Sequence, residues 1–121
     1  MKGVLKAYGW SRIAFGAAGL IAPGPLAEML VGRDGRNTGA RTLMANFATR
    51  DVVLGSGLLH AVAANDPAVP WVAAGLASDL LDTVVQLREW GSLPPDRRVR
   101  GVAMSGAAAV GSAVTLALAR R

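Results

Sequence analysis

Residues 101–119, GVAMSGAAAVGSAVTLALA, carry no charge over 19 positions and lie between two arginine clusters, Arg97, Arg98 and Arg100 on one side and Arg120 and Arg121 on the other. As a helix rising about 1.5 Å per residue the stretch reaches roughly 28 Å, close to the ~30 Å hydrocarbon thickness of a bilayer. Its side chains are small, and alanine and glycine drive insertion weakly, so taken alone it also suits the buried helix of a soluble bundle. The rest of the chain decides between the two.

Three further segments have similar length. Residues 3–22 contain Lys6 and Arg12 and run into the breaker Pro23-Gly24-Pro25. Residues 42–64 hold Arg50 and Asp51 and stop before Asn65-Asp66-Pro67, and residues 69–90 hold Asp79 and Asp82 and stop before Gly91 and Pro94-Pro95. The turn at 65–68 is short and those at 23–41 and 91–100 are longer, so successive spans are expected to run antiparallel. Within 23–41, Leu26–Leu30 is too short to cross and reads as an interfacial helix, and Thr38 is the expected N-cap of the second long helix. The expectation is all-α: one transmembrane domain over 1–121, an integral membrane antiparallel four-helix bundle with spans 3–22, 42–64, 69–90 and 101–119.

Composition agrees with that reading. Of the 121 residues, 52% are hydrophobic and 17% charged, and 13 basic against 8 acidic side chains give a formal charge of +5. A soluble helix needs a polar face that recurs every turn, yet 13–27, 52–65 and 101–119 are free of charge. The mean hydropathy of +0.37 is modest because it averages in the arginine-rich connections. Arg12 interrupts the N-terminal apolar run where a secretory signal would be most hydrophobic. Trp10, Trp71 and Trp90 fall near span ends, where an indole can meet the headgroups. One side of the membrane would hold Lys2, Lys6, Arg120 and Arg121 and the other Arg33, Arg36, Arg41, Arg88, Arg97, Arg98 and Arg100, which by the positive-inside rule places the termini outside.

Two patterns are specific enough to assign roles. Gly101, Ser105, Ala109, Ala113 and Ala117 recur every four residues down the last span, and Ala14, Ala18 and Ala22 do so in the first. Small residues let helix backbones approach in lipid, so these stripes are the expected packing faces, against this chain or another subunit. The second pattern is the charge at depth: Arg12, Arg50, Asp51, Asp79 and Asp82. An isolated charge there costs several kcal/mol, so the groups should meet one another. Asp79 and Asp82 share a helix face with Ser78 nearby, and Arg12 and Arg50 supply forks that fit carboxylates. Asp51 points about 100° away from Arg50 and needs another partner. Two arginines against three aspartates leave one carboxylate over, which suits a proton or cation site as well as an inert network.

Other chemistry finds no support. There is no cysteine, and His60 has no second histidine at ligand spacing, so no metal and no cofactor is expected. Gly32-Arg33-Asp34-Gly35 lacks the strand and Lys-Ser/Thr of a phosphate loop, Ser56 lacks a base, and Tyr8, Phe15 and Phe47 form no nucleic-acid platform.

The combination of Gly9-Trp10-Ser11-Arg12-Ile13-Ala14-Phe15-Gly16, Ala48-Thr49-Arg50-Asp51-Val52-Val53-Leu54-Gly55 and Ala77-Ser78-Asp79-Leu80-Leu81-Asp82 resembles a family of small bacterial four-span membrane proteins of unknown function, the DUF4267 type. The resemblance covers about 9–118 and departs at Ala48-Thr49, where Phe-Gly or similar is expected. It implies a multi-pass protein of the bacterial inner (plasma) membrane in which Arg12, Arg50, Asp51, Asp79 and Asp82 belong to the family pattern, and it implies no activity. Two functions follow as expectations. One is a non-enzymatic structural, assembly or accessory subunit, contacting membrane lipids and a homo-oligomer or larger membrane complex and no nucleic acid. The alternative is a binder or oligomeric carrier of a proton, small ion or lipid-like ligand at Asp79 and Asp82.

Overall fold

Prolines and glycines set several of the helix boundaries in the computed structural model, which describes all residues from Met1 to Arg121 and contains helices and no strand. Helix α1 (Lys2–Ile21) ends at Ala22 because Pro23 cannot donate to the helix and forces the residue before it out of helical geometry. The Pro23-Gly24-Pro25 breaker is nevertheless helical: it forms the first turn of α2 (Pro23–Val31), where the missing N–H groups need no partner. The chain turns by 101° at this junction, so α2 lies across the end of the molecule.

Gly32 stops α2 with φ of +76°, and a Cβ there would come 3.0 Å from the Pro94 ring. A 3-10 turn over Gly32–Arg36 follows, fastened by a 2.6 Å ion pair from Arg36 to Glu28. Asn37, not Thr38, caps α3 (Thr38–Ala64), its side-chain oxygen accepting the Ala40 N–H at 2.8 Å. Asn37 is the last extended residue, and the capping oxygen must sit there to reach the third helical N–H. Asn65 closes α3 in the left-handed conformation, α4 runs Val69–Arg88, and α5 runs Pro95–Ala119 after a short 3-10 turn at Trp90–Ser92. Helix α5 thus begins six residues before the uncharged stretch, taking Arg97, Arg98 and Arg100 into its first turns.

The four long helices associate as two tight antiparallel pairs. In the α1/α3 pair, Lys2 donates to Asn65 at one end (2.5 Å) and Gly19 lies on Ala48 at the other. A Cβ on Gly16 would lie 2.6 Å from the Ala48 carbonyl oxygen, and one on Gly55 would lie 2.5 Å from that of Gly9, so backbone meets backbone. In the α4/α5 pair, Asp79 meets Ser112 and Gln86 covers Gly101. The pairs join at the end near the chain termini through Leu5, Leu58, Val62 and Val72, with Tyr8, Trp71 and Leu116 packed around them. Trp71 lies flat against Gly57, so it is a packing residue, whereas Trp10 and Trp90 are exposed.

Within the chain the small-residue stripes are buried only in part. On α1 the buried positions are Leu5, Gly9, Arg12, Gly16 and Gly19, while Ala14 and Ala18 face outward. On α5, Gly101, Ala109, Ser112 and Thr115 are buried and Ser105 is half-buried, but Ala113 and Ala117 are exposed. A strict four-residue spacing precesses by about 40° per step on a helix of 3.6 residues per turn, so the stripe has left the contact face by Ala113. Only α5 is long and apolar enough to cross a membrane unaided, and α1 passes the same test only joined to its bent continuation through α2. The polar residues within α1, α3 and α4 account for this difference from the four apolar spans expected.

The glycine contacts generate a contrast within one chain. Gly16→Ala, which places a methyl against the Ala48 carbonyl and Val52, should cost about 1–3 kcal/mol of stability. Gly106→Ala and Gly111→Ala, which meet nothing within 4 Å, should hold or slightly raise stability, because each removes backbone freedom from the unfolded helix. Thermal unfolding of the three purified variants checks the order.

Candidate functional site

Arg12 sits three residues after Gly9 and four before Gly16, on the face that presses against α3. The close approach permitted by those glycines leaves its side chain no path outward, and it extends instead between the two helix pairs. There one guanidinium reaches all four long helices. Nε donates to Tyr8 Oη at 3.0 Å, Nη1 donates to Asp51 on α3, and Nη2 donates to Asp79 and the Gly75 carbonyl on α4 (3.1 Å for the latter) and to Ser112 Oγ on α5 (3.3 Å). Arg12 is 7% exposed and Asp51 and Asp79 are 4% each.

The hydroxyls complete the network in one consistent direction. Ser112 Oγ lies 2.5 Å from Asp79 Oδ2 and must donate to it, because the ionised carboxylate can only accept. Tyr8 Oη then donates to Ser112 Oγ at 2.6 Å while accepting from Arg12 Nε. Gly75 makes this possible, since a Cβ there would stand 2.5 Å from the Tyr8 hydroxyl. The Arg12 guanidinium also lies 5.3 Å from the centre of the Tyr8 ring.

A second, more open ion pair links α3 and α4. Arg50 on α3 holds Asp82 on α4 with both Nη atoms, at 2.6 and 3.2 Å, and its guanidinium covers the Phe47 ring at 4.3 Å. Phe47 in turn meets Phe15 edge to face at 5.9 Å. The structure therefore divides the five ionisable residues singled out in the sequence into two groups, Arg12 with Asp51 and Asp79, and Arg50 with Asp82. Asp51 turns away from its neighbour Arg50 and takes Arg12. Ser78, which the spacing associates with this site, makes no hydrogen bond through its side chain, and Ser112 supplies the hydroxyl instead. His60 is exposed, and no three His, Cys, Asp or Glu side chains converge as a metal would require.

Sequence reasoning missed Tyr8, Gly75 and Ser112. Tyr8 carried a signal, being four residues before Arg12 and so on the same face. Ser112 is one of only two serines in an uncharged run, with nothing local to distinguish it from Ser105.

Towards α2 the two helix pairs part and enclose a cleft of about 670 Å³. Phe15, Leu30, Leu43, Met44, Val85 and Met104 are among its apolar walls, and α2 closes one end with Ala27, Leu30 and Val31. Arg12, Asp51, Asp79, Asp82 and Gln86 bring polar groups to it, and Gly101 and Ser105 also line it. Two buried polar atoms beside this region have no partner, Arg50 Nε and Gln86 Oε1. At the exposed end of the molecule, the hydrogen bond from Arg36 holds the Glu28 carboxyl below the usual carboxylate range. Comparison of the chain with protein-family models, with curated proteins and with solved structures finds no match in any of the three.

Removing Arg12 leaves two buried carboxylates without their cation, whereas removing Arg50 frees a carboxylate that is already partly exposed. Arg12→Ala should therefore lower stability by about 3–5 kcal/mol and Arg50→Ala by about 1 kcal/mol. Unfolding of both variants in the same solubilising medium reads the difference, and equal losses would remove the distinction between a buried and an open pair. Because the Glu28 carboxyl is depressed, its pairing is present above the ordinary carboxylate range and is lost as pH falls through the lowered value. The Glu28 carboxyl carbon chemical shift should accordingly titrate later on acidification than that of the same residue in Arg36→Gln.

Proposed function

We propose that the chain is a small integral membrane protein of the bacterial plasma membrane that crosses the bilayer with α1, α3, α4 and α5 and holds a lipid-like amphiphile in the cleft between its helix pairs. The observation that carries this is the distribution of polarity. An arginine, two aspartates and a serine are buried beside a small apolar core, while Ile21 is 85% exposed and Leu81, Val99 and Val110 are each 65% or more. In water so much exposed apolar surface around buried charge is costly; in lipid the apolar surface is solvated and the charges pair inside. Only 22% of the apolar window of α5 is covered by the rest of the protein, unlike the core helix of a soluble bundle. The four-span reading also agrees with the resemblance to the DUF4267 type.

The cleft supports ligand binding because its volume lies within the roughly 300–1,000 Å³ of small-molecule sites and it joins apolar walls to a few convergent polar groups. The basic residues near α2 and the start of α5 form a cluster at the same end: Arg97 bonds the Glu28 carbonyl and Arg100 that of Met29. By the positive-inside rule that end faces the cytoplasm. A second reading, an accessory subunit of a larger membrane assembly, is favoured by the outward face of α5, where Ala103, Ala107, Val110, Ala113 and Ala117 are all exposed. That face is smooth enough for a neighbouring helix to approach closely.

The protein should fractionate with membranes and need detergent to stay monodisperse; a monodisperse monomer in detergent-free buffer would refute the membrane placement. Native mass spectrometry after gentle extraction should find one retained amphiphile per chain. Ala108→Trp, which fills the cleft without touching the Arg12 network, should abolish that retention and leave the unfolding temperature within a few degrees.

A further inference from the structure

The headgroup chemistry of the cleft can be read from its charges and its unpartnered atoms. Arg12 pairs with both Asp51 and Asp79 while Arg50, behind the cleft wall, pairs with Asp82, which leaves one negative charge uncompensated. Asp51 accepts its hydrogen bond through Oδ1 and Asp79 accepts both of its bonds through Oδ2, so Asp51 Oδ2 and Asp79 Oδ1 receive no hydrogen bond from the protein. Both residues line the cleft and are more than nine-tenths buried. Among buried nitrogens only Arg50 Nε lacks a partner, and that guanidinium is already held by Asp82 and by the Phe47 ring.

From this we infer that the cleft takes a cationic amphiphile, with its apolar body against Phe15, Leu43, Met44 and Met104 and a protonated amine donating to the free oxygens of Asp51 and Asp79. The inference rests on the reading of the cleft as a ligand site and adds the charge and donor character of the ligand. A carboxylate or phosphate headgroup would bring a second uncompensated negative charge into a site already carrying one, at low dielectric. A bare metal ion finds no cluster of three ligating side chains and would leave the apolar walls unused. An alkylammonium neutralises the excess charge and offers up to three N–H donors to acceptors that have none, and charge-assisted bonds of this kind are the strong ones.

The test uses four probes with one tail, each below its micellar concentration, on the full-length protein in lipid nanodiscs: dodecylammonium, dodecyltrimethylammonium, dodecanol and dodecanoate. Dodecylammonium should bind at one equivalent, and the trimethyl analogue, which keeps the charge but has no N–H, should bind roughly tenfold more weakly. Dodecanoate should not compete. Binding of dodecanoate or dodecanol as tight as that of dodecylammonium would overturn the headgroup assignment while leaving the cleft a ligand site. Failure of every probe, or binding that persists in Ala108→Trp, would overturn both.

Discussion

A buried guanidinium has five N–H donors and no way to lose its charge, so wherever Arg12 is enclosed the surrounding helices must bring acceptors to it. The structure answers with a carboxylate from α3, a carboxylate and a backbone carbonyl from α4, a hydroxyl from α5 and the Tyr8 hydroxyl one turn back on α1. Each acceptor also fixes the rotation and height of the helix that carries it. Buried ion pairs of this sort add little net stability over a well-packed apolar core, and their better-attested contribution is to select one register among several. Helices whose surfaces are mostly alanine, valine and leucine have few other features with which to choose a register.

The position of Arg12 depends in turn on glycine. Gly9, Gly16 and Gly55 allow α1 and α3 to touch backbone to backbone, and a residue on that seam cannot turn outward. Polar contacts between the pairs lie at Arg12 and at Arg50 with Asp82, while apolar contact closes only the end built on Leu58 and Val72. The cleft is what remains between these fastenings: the pairs are tied at the middle and packed at one end, and α2 spans the other. The same charges that hold the pairs together therefore line the space between them. Asp51 and Asp79 accordingly bond Arg12 and also line the cleft.

Much of the secondary structure is legible because proline and glycine act locally. The helix starts at Pro23, at Val69 beside Pro70 and at Pro95 and the stops before Pro23 and at Gly32 follow from backbone chemistry within two residues, as does the left-handed Asn65. The packing faces were less legible. An alanine stripe of four-residue period looks continuous in the sequence but winds around the helix, so Ala113 and Ala117 end on the outside while Ser112 lies within. For the ionic site the residue types were readable, since charge inside an apolar segment demands a partner. Its division into two groups was not, because whether Asp51 meets Arg12 or another cation depends on how α3 is rotated against α1.

The sequence by itself determined an all-helical chain, the approximate extent of its long helices, and that Arg12, Arg50, Asp51, Asp79 and Asp82 must be compensated, because these follow from local backbone preference and from the cost of an unpaired charge. Tertiary structure alone decided that Tyr8, Gly75 and Ser112 complete the Arg12 network, that Asp82 takes Arg50, and that a cleft opens between the pairs. Those outcomes depend on contacts between residues as far apart as Tyr8 and Ser112, whose meeting is set by helix rotation and spacing that no local pattern encodes.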